Sequence, residues 1–270
     1  MKKIGIVGCG TIGSYLARTI CKDYRSCARI AGFYDIDSDK AKALSAKLFK
    51  KSRVLSLDKL IDRSDLIIEA ASPTVSALIC EGAVSRGKDV MVMSVGGILK
   101  KKNKLFADAR KKGCRIILPS GAICGLDGLK AAGISKINRV TLTTRKPPQG
   151  LQGAPYIAEN NIDLDSIIGE EVIFEGTASE AVKGFPKNIN VSALLSIAGI
   201  GPKKTRVRII TSPEYMVNVH EVEVEGDFGR LITRTENVPS PDNPRTSFLA
   251  ALSAAATLKQ ILDDTIRIGT

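Results

Sequence analysis

Short apolar runs alternate with stretches of helical periodicity through the first 120 residues. Residues 2–7 form one apolar run, and Ile12, Leu16 and Ile20 then recur on a single helical face across residues 12–22. A second run, residues 28–34, ends at Asp35, and Ser38 is the expected cap of a helix reaching Phe49. An extended piece near Val54, a helix through Leu57, Leu60 and Ile61, and a strand over residues 65–71 come next. A helix from Pro73 to about Arg86, a strand over 88–93, a helix over roughly 99–112 stopped by Gly113, and a strand over 114–118 complete the series. Continuous apolar strands separated by helices predict a doubly wound parallel sheet covered on both faces, with right-handed crossovers.

The pattern changes after Pro119. Val217 to Glu225 and Phe228 to Glu236 alternate apolar and polar residues over longer runs, as antiparallel strands with one wet face do. Helices are expected near 125–133 and 190–199, so this part reads as an α+β domain with a mainly antiparallel sheet. Pro239-Ser240-Pro241-Asp242-Asn243-Pro244 reads as a rigid connector, and an Ala/Leu-rich helix over about 246–262 should pack back on the first domain. The expected division is residues 1–119 plus 245–270 for the parallel domain and 120–244 for the second.

Gly8-Cys9-Gly10-Thr11-Ile12-Gly13 follows the first strand and opens the first helix, with Asp35 ending the next strand. That context turns a common glycine pattern into the dinucleotide fingerprint of a Rossmann domain. Gly8 makes the turn, Gly10 lets a pyrophosphate reach the backbone, and Gly13 lets the helix approach the sheet. The first turn, with Thr11 and Ile12, offers its N–H groups to phosphate. Asp35 should accept hydrogen bonds from the adenosine ribose and repel a 2′-phosphate. NAD is therefore favoured, and NADP stays open because Lys40 and Lys42 lie close in sequence. Ala70-Ala71-Ser72-Pro73 and Ser94-Val95-Gly96-Gly97 end two further strands at the side where open α/β sheets bind ligands.

Charge and cysteines narrow the class. The net charge of +12 comes from lysines and arginines spread along helices, and aromatics make up only 4%, without the interleaved rings that stack bases. A nucleic-acid partner is not expected. No apolar run reaches the ~18 residues that span a bilayer, and the first residues lack the cleavage site of a signal peptide. Six cysteines without a Cys-x-x-Cys pair, beside one histidine, argue against a metal site or a disulfide framework and for a reducing cytoplasm.

That histidine, His220, shares a strand face with Asn218, Val222 and Val224, while Glu221, Glu223 and Glu225 take the other. A lone histidine is more often structural than catalytic, but an inward-facing imidazole on this strand suits general acid–base work near neutral pH and raises the catalytic reading. Residues 185–191, Phe-Pro-Lys-Asn-Ile-Asn-Val, enter an apolar helix that Asn188 or Asn190 could cap, or from which either amide could hold a ligand carboxylate. Cys124 lacks a neighbouring histidine and is a poor nucleophile candidate.

Ile4 to Gly10, Pro119 to Ile123 with Gly125-Leu126-Asp127, residues 185–191 and the strand carrying His220 together resemble the L-aspartate dehydrogenases of NAD biosynthesis over nearly the whole chain. Cys124 departs from the small residues common at its position. The resemblance implies NAD(P)-dependent oxidative deamination of L-aspartate to iminoaspartate, with His220 catalytic and Ala122 and Asn190 touching the cofactor. It also implies a homodimer. Two substrate carboxylates need cationic or amide donors, for which Lys187, Asn188 and Lys183 are candidates. Another two-domain dehydrogenase, of the homoserine type for instance, and a non-catalytic NAD-sensing protein are the alternatives.

Overall fold

The structure, a computed structural model, describes residues 1–186, 190–241, 243–263, 265–266 and 268–269. It divides into two compact units, residues 1–119 with 251–267, and residues 120–250 with 268–270.

The first unit is built on five parallel strands: β1 (Lys2–Val7), β2 (Ala28–Tyr34), β3 (Leu66–Glu69), β4 (Asp89–Val92) and β5 (Ile116–Ile117), in the order β2-β1-β3-β4-β5. All four residues of β3 are buried, as expected of a central strand covered on both faces. The helices are α1 (Thr11–Asp23), α2 (Ser38–Leu48), α3 (Leu57–Arg63), α4 (Pro73–Ser85), α5 (Val95–Ile98) and α6 (Lys102–Lys112). Ile4, Ile6, Leu16, Ile20, Leu66 and Ile68 pack into one core with Ala254 and Leu258 of the carboxyl-terminal helix. Burying each large aliphatic side chain is worth about 1.5–3 kcal/mol.

Some boundaries differ from the sequence reading for local reasons. Asp37, not Ser38, caps α2: its carboxylate accepts the N–H groups of Asp39 and Lys40, a stronger acceptor one residue earlier. The helix expected over 99–112 is α6, which begins at Lys102 and ends at Gly113 in the left-handed region at φ 66°; the short α5 lies before it, in residues read from sequence as a loop.

The second unit contains α7 (Leu126–Ala132), β6 (Ile137–Lys146), α8 (Pro155–Glu159), β7 (Glu171–Thr177), α9 (Ala178–Gly184), α10 (Asn190–Ala198), β8 (Arg206–Thr211), β9 (Asn218–Gly226) and β10 (Gly229–Asn237). The strands form one sheet in the order β10-β9-β6-β8-β7, in which only β6 and β8 run parallel. One face carries Val140, Leu142, Val207, Ile209, Val222 and Val224 into a core shared with Leu129 and Leu195 of the covering helices. Tyr156, Phe174 and Phe185 fill one end of that core with ring centroids 5.2–5.5 Å apart. The other face is laced with ion pairs, including Arg139–Glu225 and Arg230–Glu223, each at 2.6 Å. The expected connector after β10 is a small hairpin, β11 (Pro239–Ser240) paired antiparallel with β12 (Asn243–Ser247), which leads into α11 (Phe248–Leu262).

Candidate active site

In the first unit the glycine loop has the geometry that a dinucleotide needs. Gly8 sits at φ +94°, and a Cβ there would lie 2.3 Å from the carbonyl oxygen of Ala70; at Gly13 it would lie 1.9 Å from the carbonyl oxygen of Gly8. Both positions exclude a side chain. At Gly10 a Cβ would meet nothing within 4 Å, so the backbone borders open space. That space is a cavity of about 370 Å³, lined by Gly8, Gly10, Asp35, Ala71 and Ser72 among others. Thr11, Ile12 and Gly13 form the first turn of α1, which has neither a capping side chain nor an acidic residue. Its N–H groups and positive dipole end are therefore available to phosphate. Asp35 is held on both oxygens, by the N–H of Cys9 at 2.7 Å and of Asp37 at 2.9 Å, which fixes its carboxylate at the cavity wall. Pro73 begins α4 behind Ser72. The residues present thus fit an NAD(P) molecule.

Glu69 is a functional candidate that the sequence reading absorbed into an apolar strand. It is 0% exposed, yet one carboxylate oxygen accepts the N–H of Ala71 and the other that of Ser94, both at 2.9 Å. Burial raises its pKa, and the bonds from Ser94 and Ala71 oppose the rise. One side chain therefore ties together the two loops that follow β3 and β4. A lone carboxylate inside Leu-Ile-Ile-Glu-Ala-Ala was the available signal, since a buried acid must be partnered.

In the second unit His220 lies on the apolar face of β9, 5% exposed. Its register partner on β6 is Thr144, whose hydroxyl is 3.1 Å from Nδ1. Nε2 has no hydrogen bond among the described residues. Two residues along β6, on the same face, Lys146 is also buried. Desolvation lowers the pKa of Lys146 to about 8. Burial first, and the charge of Lys146 second, lower that of His220 to about 3. The imidazole is neutral at physiological pH. Thr144 and Lys146 share a cavity of about 10 Å³ with Ser192 of α10, the size of one water.

Ala122 is connected to this group. Its carbonyl accepts the Thr235 hydroxyl at 2.9 Å and the Asn237 amide at 3.1 Å, and Thr235 also reaches the carbonyl of His220 at 3.3 Å. Asn190 is the first residue of α10, two positions before Ser192. Lys183 is exposed on α9. Lys187 and Asn188 lie outside the described residues. Cys124 is exposed, and its carbonyl accepts the Thr233 hydroxyl.

Residues 127–261 match the C-terminal domain family of aspartate dehydrogenase, and residues 8–119 match the NAD-binding domain family of homoserine dehydrogenase. Full-length relatives include the L-aspartate dehydrogenases of Methanosarcina acetivorans, 48% identical, and Methanosarcina mazei, 46% identical, each aligned over all of both chains. The chain belongs to the L-aspartate dehydrogenase family. The enzymes of this family are NAD(P)-dependent oxidoreductases, and the first unit is the NAD(P)-binding domain. The fold agrees: aspartate dehydrogenase from Thermotoga maritima superposes with a TM-score of 0.75 at 24% identity over both chains in full. A homoserine dehydrogenase from Thiobacillus denitrificans gives 0.62 at 15%, covering 99% of this chain and 75% of its own.

Two substitutions probe these sites. Glu69→Gln turns an NH2 toward a backbone N–H and should cost about 1–3 kcal/mol in urea denaturation while weakening NADH binding by fluorescence titration. Thr144→Val keeps the shape but loses the hydroxyl; kcat should fall roughly tenfold, the equivalent of about 1.4 kcal/mol, with the KM for NAD unchanged. Thr144→Ser should retain most of the rate. Equal rates in the two Thr144 variants would remove the hydroxyl from the account.

Proposed function

We propose that this chain oxidises L-aspartate to iminoaspartate with NAD(P), and that iminoaspartate either feeds NAD biosynthesis or hydrolyses to oxaloacetate and ammonia. The observation that carries the reading is the buried imidazole of His220, bonded to Thr144 at Nδ1 and with no hydrogen bond to Nε2 among the described residues, in a chain whose full-length relatives are L-aspartate dehydrogenases.

NAD(P), which the glycine loop and Asp35 would hold, would supply the hydride acceptor for the substrate Cα. The chain's own residues must hold the substrate and move one proton. In this reading Nδ1–H of His220 donates to Thr144 Oγ1, which leaves the lone pair on Nε2 to accept a proton from the substrate ammonium, directly or through one water. An imidazole with so low a pKa is a weak base. The two carboxylates of L-aspartate bring negative charge that opposes Lys146 and raises the imidazole's proton affinity only when substrate is present. Lys187 and Asn188 are the proposed carboxylate donors, and Ala122 and Asn190 the proposed cofactor contacts from the second unit. Asp35, with its carboxylate at the cavity wall, supports NAD over NADP.

A homodimer follows from the family resemblance, and the half-exposed Val172 and Ile232 on the ion-paired sheet face support a covered surface there. All six cysteines are free thiols, consistent with a reducing cytoplasm.

Absorbance at 340 nm tests the reading directly. Turnover is expected with L-aspartate, and not with L-homoserine, L-glutamate or L-alanine. His220→Ala should lose about 10²–10⁴ in kcat yet bind NADH normally. Absence of turnover with every amino acid, alongside tight NADH binding, would contradict the proposal.

A further inference from the structure

A cavity larger than the one bordered by the glycine loop lies elsewhere in the first unit. It has a volume of about 780 Å³ and is lined by Lys3, Arg25, Arg29, Arg53 and Arg63, with no carboxylate in its wall. Lys3 and Arg29 stand at the amino ends of β1 and β2, and Arg25 and Arg63 follow the last turns of α1 and close α3. The cavity is therefore at the opposite end of the strands from the glycine loop, which follows the carboxyl end of β1.

Several cations elsewhere in this unit are ion-paired. Arg86 pairs with Asp58 and Asp62, Arg115 with Asp89, and Lys101 with Glu81, at 2.7–3.0 Å. None of the five cations around the cavity has an ion pair among the described residues. Two of them are instead anchored to backbone carbonyls, Arg53 to Ile30 at 2.6 Å and Arg25 to Cys21. These bonds hold the guanidinium groups in place and leave their charge uncompensated. Five like charges around one hollow repel one another, a cost that a multiply charged anion would relieve. Guanidinium groups also match phosphate oxygens in geometry as well as in sign.

The floor is apolar. Ile20, Leu48 and Phe49 contribute to it, and the Arg53 guanidinium sits 4.0 Å above the Phe49 ring. Cys21, also in the wall, senses the same cations: burial raises its pKa, and the charges of Arg53 and Arg25 oppose the rise. Cations around the wall over an apolar floor suit a ligand with several phosphates and a less polar body.

We propose that this cavity binds a small polyphosphate-bearing metabolite, at a site separate from the cofactor's. The phosphates would lie among Arg25, Arg29, Arg53 and Arg63. Such binding would connect the nucleotide or polyphosphate state of the cell to this unit, since α1 runs from the glycine loop to Asp23, two residues before Arg25.

Calorimetry with inorganic tripolyphosphate on the full chain, saturated with NADH so that the glycine loop is filled, tests the site. Dissociation in the micromolar to low millimolar range is expected, weakening as salt rises. An Arg29→Gln/Arg63→Gln variant changes two exposed side chains, so it should fold normally; it should lose at least tenfold in affinity while binding NADH as the parent does. ATP in place of tripolyphosphate distinguishes the sources of the phosphates: equal affinity assigns recognition to the phosphates alone, and tighter ATP binding adds the apolar floor. No heat with tripolyphosphate at 10 mM (a concentration of order well above the expected range) would overturn the proposal. So would heat unchanged in the double variant, or binding confined to an oligonucleotide.

Discussion

Hydrocarbon does not solvate charge, and the chemistry open to this chain follows from that fact at one position. The alternation of β9 sends its glutamates to a face of ion pairs and its histidine to the face that packs under helices. Buried there, with Lys146 on the same side, His220 cannot hold a proton near neutral pH. The unfolded chain can, with the ordinary histidine pKa of about 6.5. Because the folded value is lower than the unfolded one, this residue leaves stability intact at neutral pH and erodes it as pH falls from about 6.5 toward 3. The fold accepts that acid sensitivity and gains a base that changes affinity with the charge of what sits beside it.

The cofactor-binding unit is governed by close approach. Gly8 and Gly13 leave no room for a Cβ, so the turn, the start of α1 and the end of β3 lie against one another and the helix N-terminus faces the cavity. Glu69 adds the second constraint by bonding the N–H groups of two neighbouring loops with one carboxylate. Asp35 is oriented in the same way, through two backbone donors. In each case a charged side chain is immobilised by backbone, so the wall is set before any ligand arrives.

Much of this was legible from residue order. Period-2 and period-3.6 patterns located the parallel strands and most of their helices, and the alternation around His220 predicted its face. What was not legible depended on partners far apart in sequence. Thr144 is 76 residues from His220, and nothing in Thr-Leu-Thr-Thr-Arg-Lys marks one threonine for an imidazole or the lysine for burial. Glu69 was hidden because the strand around it reads as apolar. The basic cavity was read as a general surplus of positive charge, because its five cations come from two strands, one helix and two loops that only the fold assembles.

The sole histidine makes the central claim directly measurable. Long-range ¹H–¹⁵N correlation spectra of uniformly labelled protein contain one imidazole, whose nitrogen shifts report charge and tautomer without assignment. The account predicts a neutral ring with its proton on Nδ1 from about pH 8 to about pH 4.5, outside the ordinary titration range. A titration centred near 6.5, or an even mixture of tautomers at neutral pH, would contradict it.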